Sequence, residues 1–166
     1  MQRRRFLTFA SAAAAGCALS ACGFALRGRQ DFPFQSLFIQ AQQQSQLARQ
    51  LQRMLEASGV TVLRAPDHGP QEAQAVFELL QESQERAVIS QSATGSVREL
   101  QLRLRVRYRL HRGDAQAAEE VELLQTRDLN YDESSALAKE MEEQILFRDM
   151  QLDLVGQIVR RLSLAQ

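Results

Sequence analysis

The stretch Glu99-Leu100-Gln101-Leu102-Arg103-Leu104-Arg105-Val106-Arg107-Tyr108-Arg109-Leu110 decides the fold. Leu100, Leu102, Leu104, Val106, Tyr108 and Leu110 alternate without a break with Gln101, Arg103, Arg105, Arg107 and Arg109. Successive side chains of an extended chain point to opposite faces, so this period of two specifies a strand with one face on a core and one turned outward. On its amino side, residues 75–90 read as a second long strand with a polar middle, and residues 92–96, with Gly95, as the turn between the two. On its carboxyl side His111-Arg112-Gly113-Asp114 is a turn and residues 119–130 a third, less regular strand. Sequential strands joined by short turns are expected to pair as antiparallel hairpins.

Two further elements lie ahead of this meander. Ser36-Leu37-Phe38-Ile39-Gln40 is a short strand by its β-branched and aromatic content. Residues 45–57 place Leu47, Leu51, Met54 and Leu55 at helical spacing, and Ser58-Gly59 ends that helix. Val60-Thr61-Val62-Leu63 is the next strand. A strand, a crossover helix and a strand favour parallel pairing. The chain closes with a long helix from Asp132 or Ser134 to about Leu164. Its apolar face is expected to hold Leu137, Met141, Ile145, Met150, Leu152, Val155, Ile158, Val159 and Leu162, with a kink or slip near Phe147. The expected class is α+β, a two-layer sandwich of two helices packed on a mixed four- to five-stranded β-sheet.

The front of the chain has a different character. Met1-Gln2-Arg3-Arg4-Arg5 is a positive start, followed by an uncharged run over residues 6–21, which is the pattern of an export signal. The run falls short of the roughly 20 residues a membrane-spanning helix needs. Leu19-Ser20-Ala21-Cys22 resembles the bacterial lipobox, in which the cysteine thiol receives a diacylglycerol. Cleavage before Cys22 frees its amine for a further acyl chain and discards Cys17, leaving no cysteine for a disulfide. Arg3-Arg4-Arg5-Phe6-Leu7 also resembles a twin-arginine signal, so the general secretory and twin-arginine routes both remain open. The expected organisation is a signal peptide over residues 1–21, an acylated start and tether over 22–34, and a single domain over 35–164.

Charge narrows the function. The chain has 20 Lys and Arg against 20 Asp and Glu, and residues 1–21 hold three arginines and no acid. The processed chain is therefore slightly acidic, whereas a nucleic-acid binder needs a positive excess. Its two histidines, His68 and His111, both fall in turns. No glycine-rich phosphate loop, Gly-x-Ser-x-Gly elbow or metal-ligand spacing is present, so no catalytic residue, metal or cofactor is expected. Glu140, Glu142 and Glu143 read as the wet face of a helix.

The arginine row is the feature that asks for a partner. Side chains two apart on a strand share a face about 6.6–6.8 Å apart, so Arg103, Arg105, Arg107 and Arg109 form a positive stripe about 20 Å long. Arg98 lies just before it. Cross-strand pairs with Glu78, Glu82 and Glu85 on one side and Glu119, Glu120 and Glu122 on the other would neutralise the stripe. Alternatively it faces the phosphates of anionic lipid headgroups.

Three stretches resemble the lipopolysaccharide-assembly lipoprotein LptE, or rare lipoprotein B, family. They are Cys22-Gly23-Phe24-Ala25-Leu26-Arg27-Gly28; the order strand, helix, Gly59-Val60, strand, long strands; and Arg127-Asp128-Leu129-Asn130-Tyr131-Asp132 with Ala136-Leu137-Ala138-Lys139-Glu140, leading to Arg160-Arg161-Leu162. The resemblance implies a non-enzymatic outer-membrane lipoprotein on the periplasmic face, anchored through acylated Cys22. It would act as partner and plug of the LptD β-barrel, assist barrel assembly and bind lipopolysaccharide. Gly23 after the cysteine agrees with release from the inner membrane. Lys139 matches a lysine that the family links to lipopolysaccharide binding. The family's second basic position falls where this chain has Ser90-Gln91-Ser92, and Arg98 or the row Arg103, Arg105 and Arg107 are the candidate substitutes.

Three rival functions make distinct demands. A scaffold lipoprotein of another envelope complex, with no lipid ligand, would leave the arginine row paired to glutamates. An envelope hydrolase would need a nucleophile beside a base, and a periplasmic lipid shuttle an internal apolar cavity.

Overall fold

The computed structural model describes residues 31–112 and 118–164, so the signal segment, Cys22 and part of the turn after His111 lie outside the described residues. The strands are β1 (Ser36–Gln40), β2 (Thr61–Leu63), β3 (Ala75–Gln91), β4 (Val97–Arg112) and β5 (Glu119–Asn130). The helices are α1 (Gln46–Ala57) and α2 (Ala136–Leu164). One five-stranded sheet runs in the order β2-β1-β3-β4-β5. β1 pairs parallel with β2, as the crossover through α1 favours, and also with β3, while β3, β4 and β5 form the antiparallel meander. The α+β class, the two helices and the mixed sheet are as the alternation and spacing predict, with five strands.

Local chemistry sets the ends of these elements. Ser45 caps α1 by accepting a hydrogen bond from the Ala48 N–H at 3.0 Å. Gly59, at φ 91°, ends it in the left-handed region that only glycine enters without strain. Gly95, at φ 85°, turns β3 into β4. Asp132 accepts from the Ser134 N–H at 2.9 Å and opens a 3-10 turn, Glu133–Ser135, that leads into α2.

The core lies between the sheet and the helices. Leu102, Leu104, Val106 and Tyr108 of β4 are buried, together with Leu47, Leu51 and Leu55 of α1 and Met150, Leu154, Val155 and Ile158 of α2. Phe77 stacks on Tyr108 with ring centroids 4.9 Å apart. The core also takes in Phe34, the last residue of the expected tether.

The face of α2 departs from expectation. Met150, Val155, Ile158, Val159 and Leu162 are buried, but Leu137, Met141, Ile145 and Leu152 are exposed. Followed towards its amino end, the buried face passes through Gln151, Phe147 and Glu143, so it keeps one phase and α2 is one helix from Ala136 to Leu164. A helix of 29 residues is about 44 Å long. Only its carboxyl half meets the apolar layer built with α1. Its amino half runs along a polar part of β3, where a carboxylate rather than a leucine finds a partner. Glu143, expected on the wet face, is 6% exposed and accepts a hydrogen bond from Arg86 Nε at 2.6 Å.

No helix among the described residues is long and apolar enough to cross a membrane.

Candidate functional site

The outer face of the sheet carries the arginine row. Arg105 forms an ion pair with Glu122 and lies 3.9 Å from Glu85. Arg107 lies 3.4 Å from Glu120. Arg109 sits between Glu120 at 3.2 Å and Glu78 at 3.5 Å. His111 meets the same Glu78 carboxylate at 3.3 Å. Arg103 donates from Nε to Gln101 at 2.9 Å. The row is therefore one member of an alternating lattice of charge, and several pairs run diagonally: Glu122 stands opposite Arg107 in the register yet bonds Arg105. The side chains of these pairs are about a quarter to a half exposed, where an ion pair contributes at most about 1 kcal/mol.

The glutamates available to the row differ from those expected. β3 shifts register between Leu79 and Gln81, and this extra residue reverses the alternation beyond it. Glu78 and Glu85 consequently share the arginine face, while Glu82 turns to the helical side. There Glu82 accepts from Ser45 Oγ at 2.7 Å and from Gln151 Nε2 at 3.2 Å. This polar seam ties the start of α1, the middle of β3 and α2 together. Sequence spacing gave no sign of it, because the bulge that aims Glu82 has no motif.

A second cationic group stands at the far end of the sheet. The main-chain N–H of Tyr131 donates to the carbonyl of Arg98 at 2.8 Å, holding the exit of β5 against the entry of β4. The next residue, Asp132, has its carboxyl held below the usual aspartate range, first by the Ser134 N–H, then by the Ser134 hydroxyl, and further by the charges of Lys139 and Arg98. Arg98 and Lys139 thus both carry charge felt at the Asp132 carboxylate. Lys139 also reaches Glu142 at 2.8 Å. Arg98 and Arg105 are seven residues apart on one strand, about 23 Å, so these two cationic groups are separate places.

Two open depressions flank the seam, of about 510 Å³ beside Ser45, Glu82 and Gln151 and about 650 Å³ beside Arg86, Glu143 and Phe147. Their linings are mainly polar, unlike the apolar cavity a lipid shuttle would use. Among the described residues no group of His, Cys, Asp or Glu is placed to hold a metal ion.

The fold and this chemistry define a class: a two-layer α+β domain whose polar groups engage one another instead of converging on a reactive centre. A family profile described as LptE, Lipopolysaccharide-assembly, matches residues 34–162, and the chain belongs to that family. Its members are non-catalytic outer-membrane lipoproteins. Among solved structures, the chain is similar to an uncharacterized lipoprotein B from Nitrosomonas europaea, with 32% identity over 85% of this chain and 90% of that one and a TM-score of 0.68. It is also similar to the rare lipoprotein B from Shewanella oneidensis, with 23% identity over 77% and 93% and a TM-score of 0.65. A minor lipoprotein from Acinetobacter baumannii gives 23% identity over 80% and 93% and a TM-score of 0.61. The last two likenesses speak to the fold alone. No curated protein sequence matches the chain.

Proposed function

We propose that this chain is an outer-membrane lipoprotein on the periplasmic face, held by acylated Cys22, that partners and plugs the LptD β-barrel, assists its assembly and binds lipopolysaccharide. The observation that carries the proposal is the family match across residues 34–162, behind a front end that reads as a lipoprotein signal over residues 1–21. A large barrel lumen is mostly polar, and the sheet face turned away from the helices, with its balanced arginines and glutamates, is suited to lie against such a wall.

For lipopolysaccharide, Arg98 and Lys139 are the first choice. Both lie outside the glutamate lattice that holds Arg105 and Arg107 and carry charge felt at Asp132, although Lys139 also pairs with Glu142; Arg103 is bonded to Gln101. A charge-assisted hydrogen bond contributes about 1.5–3 kcal/mol. Replacing both residues with alanine should therefore weaken binding of purified lipopolysaccharide to the full-length protein by at least about tenfold, whereas Arg105→Ala should change it little. Titration calorimetry or surface plasmon resonance checks this. Unchanged affinity in the double variant would remove Arg98 and Lys139 from the site.

One observation favours a second reading, a scaffold lipoprotein without a lipid ligand: the arginine row is paired to glutamates, as that reading requires. Absence of any lipopolysaccharide binding by the wild-type protein would select it.

A further inference from the structure

The two depressions that flank the polar seam share Gln46, Gln84 and Gln151, so they form one groove on the helical side of β3. The groove exists because the two helices differ in reach. α1 starts at Ser45, bonded to Glu82, and runs back towards Thr61, which pairs with Ser36. Beyond Glu82 only α2 covers β3, through the bonds from Gln151 to Glu82 and from Arg86 to Glu143. Between Glu143 and Gln151 the helix rises about 12 Å along the groove.

The lining selects the ligand class. Its charges cancel, Arg86 and Arg148 against Glu82 and Glu143, so it favours an ion of neither sign. Met141 and Ile145 give it an apolar wall, and both are exposed. Gln42, Gln44 and Gln46 at the start of α1, Gln84 of β3 and Gln144 of α2 bring side-chain amides that bond no other described residue. Each amide offers two donors and an acceptor with two lone pairs, which suits neighbouring hydroxyls, while the C–H faces of a sugar ring bury against apolar side chains. Register with β4 is unbroken from Gln81 to Val88, so Glu82, Gln84 and Arg86 all lie on the helical side. An occupant there meets side chains over the sheet, not the edge main-chain groups that an added polypeptide strand uses. We propose that this groove binds a short, uncharged stretch of oligosaccharide, and that the glycan of lipopolysaccharide supplies it. The source of the glycan rests on the function proposed above: with the arginine face against the barrel wall, the helical side is left towards the lumen. Lys139 precedes Met141 by about 3 Å along the helix axis, so phosphates on the glycan meet the Arg98 and Lys139 end while the sugars lie along the groove.

The test is a nuclear magnetic resonance titration of the full-length, isotope-labelled protein in detergent. The probe is lipid-free oligosaccharide, released from lipopolysaccharide by mild acid and then dephosphorylated. Saturable shifts of glutamine side-chain amide resonances are expected. Gln84→Ala combined with Gln144→Ala should weaken binding about tenfold, through the loss of two or more neutral hydrogen bonds. Gln43→Ala, exposed and beside the lining but outside it, should leave binding unchanged. Gln84 and Gln144 are exposed as well, and circular dichroism of each variant confirms its fold. No saturable shift, an affinity indifferent to the double variant, or a preference for glycan fragments of peptidoglycan would each overturn the proposal. So would a photo-cross-linker at position 84 that, in native outer membranes, captures polypeptide instead of glycan. If intact lipopolysaccharide binds the wild type while the oligosaccharide does not, the groove alone is refuted; if neither binds, the lipopolysaccharide reading falls with it.

Discussion

Replacing Cys22 with serine is expected to release the protein from lipid bilayers almost completely. The argument is one of summed transfer energies. Each buried acyl CH₂ contributes about 0.8 kcal/mol; one chain gives only marginal, reversible binding, while two or three give a lasting anchor. Nothing in the folded domain substitutes, because no helix among the described residues can span a membrane and the apolar side chains exposed on α2 are interspersed with Glu140, Glu142 and Asp149. Flotation of proteoliposomes made from neutral phosphatidylcholine checks this without a barrel present. Wild type should rise with the vesicles and Cys22→Ser should stay in the dense fractions. Co-flotation of the serine variant would place the anchor elsewhere.

Phe77→Ala is expected to have the largest effect on stability, a loss of about 3–5 kcal/mol. Phe77 is fully buried where β1, β3 and β4 meet, opposite Ile39 on one side and Leu110 on the other, with its ring stacked on Tyr108. Its removal takes away both the transfer energy of the ring and the contacts of the cavity lining, which the paired strands cannot collapse to fill. Domains of this size have about 5–15 kcal/mol in total, so the urea midpoint should fall by about a fifth or more. Arg105→Ala removes two exposed ion pairs, each contributing about 1 kcal/mol or less, and should cost far less. Comparable losses in the two variants would mean that the outer charge lattice, not the core, holds the sheet.

Regularity decides how much of this architecture is legible in the sequence. β4 can be read residue by residue because eleven consecutive positions obey one alternation. α1 is equally plain, because a serine cap and a glycine stop bracket four apolar residues at helical spacing. The amino half of α2 is harder. Leu137, Met141 and Ile145 are spaced as a buried face would be, yet they face solvent, and the residue turned to the sheet is Glu143, held by Arg86. Spacing identifies a face; only the opposing layer determines whether it is covered. The glutamates of β3 carry the same lesson, since a single inserted residue sends Glu82 to the helices and leaves Glu78 and Glu85 with the arginines. Arg98 and Lys139 could each be singled out as cations, but that both are felt at Asp132 follows from the ends of β4 and β5 being held together by the main-chain bond from Tyr131 to Arg98, a tertiary contact that no local pattern announces.

Affinity purification of the full-length protein from detergent-extracted outer membranes tests the functional account most directly. Recovery of a large β-barrel protein, LptD, in stoichiometric amount is the expected result. Recovery of the lipoprotein free of any barrel, from membranes that contain LptD, would contradict it.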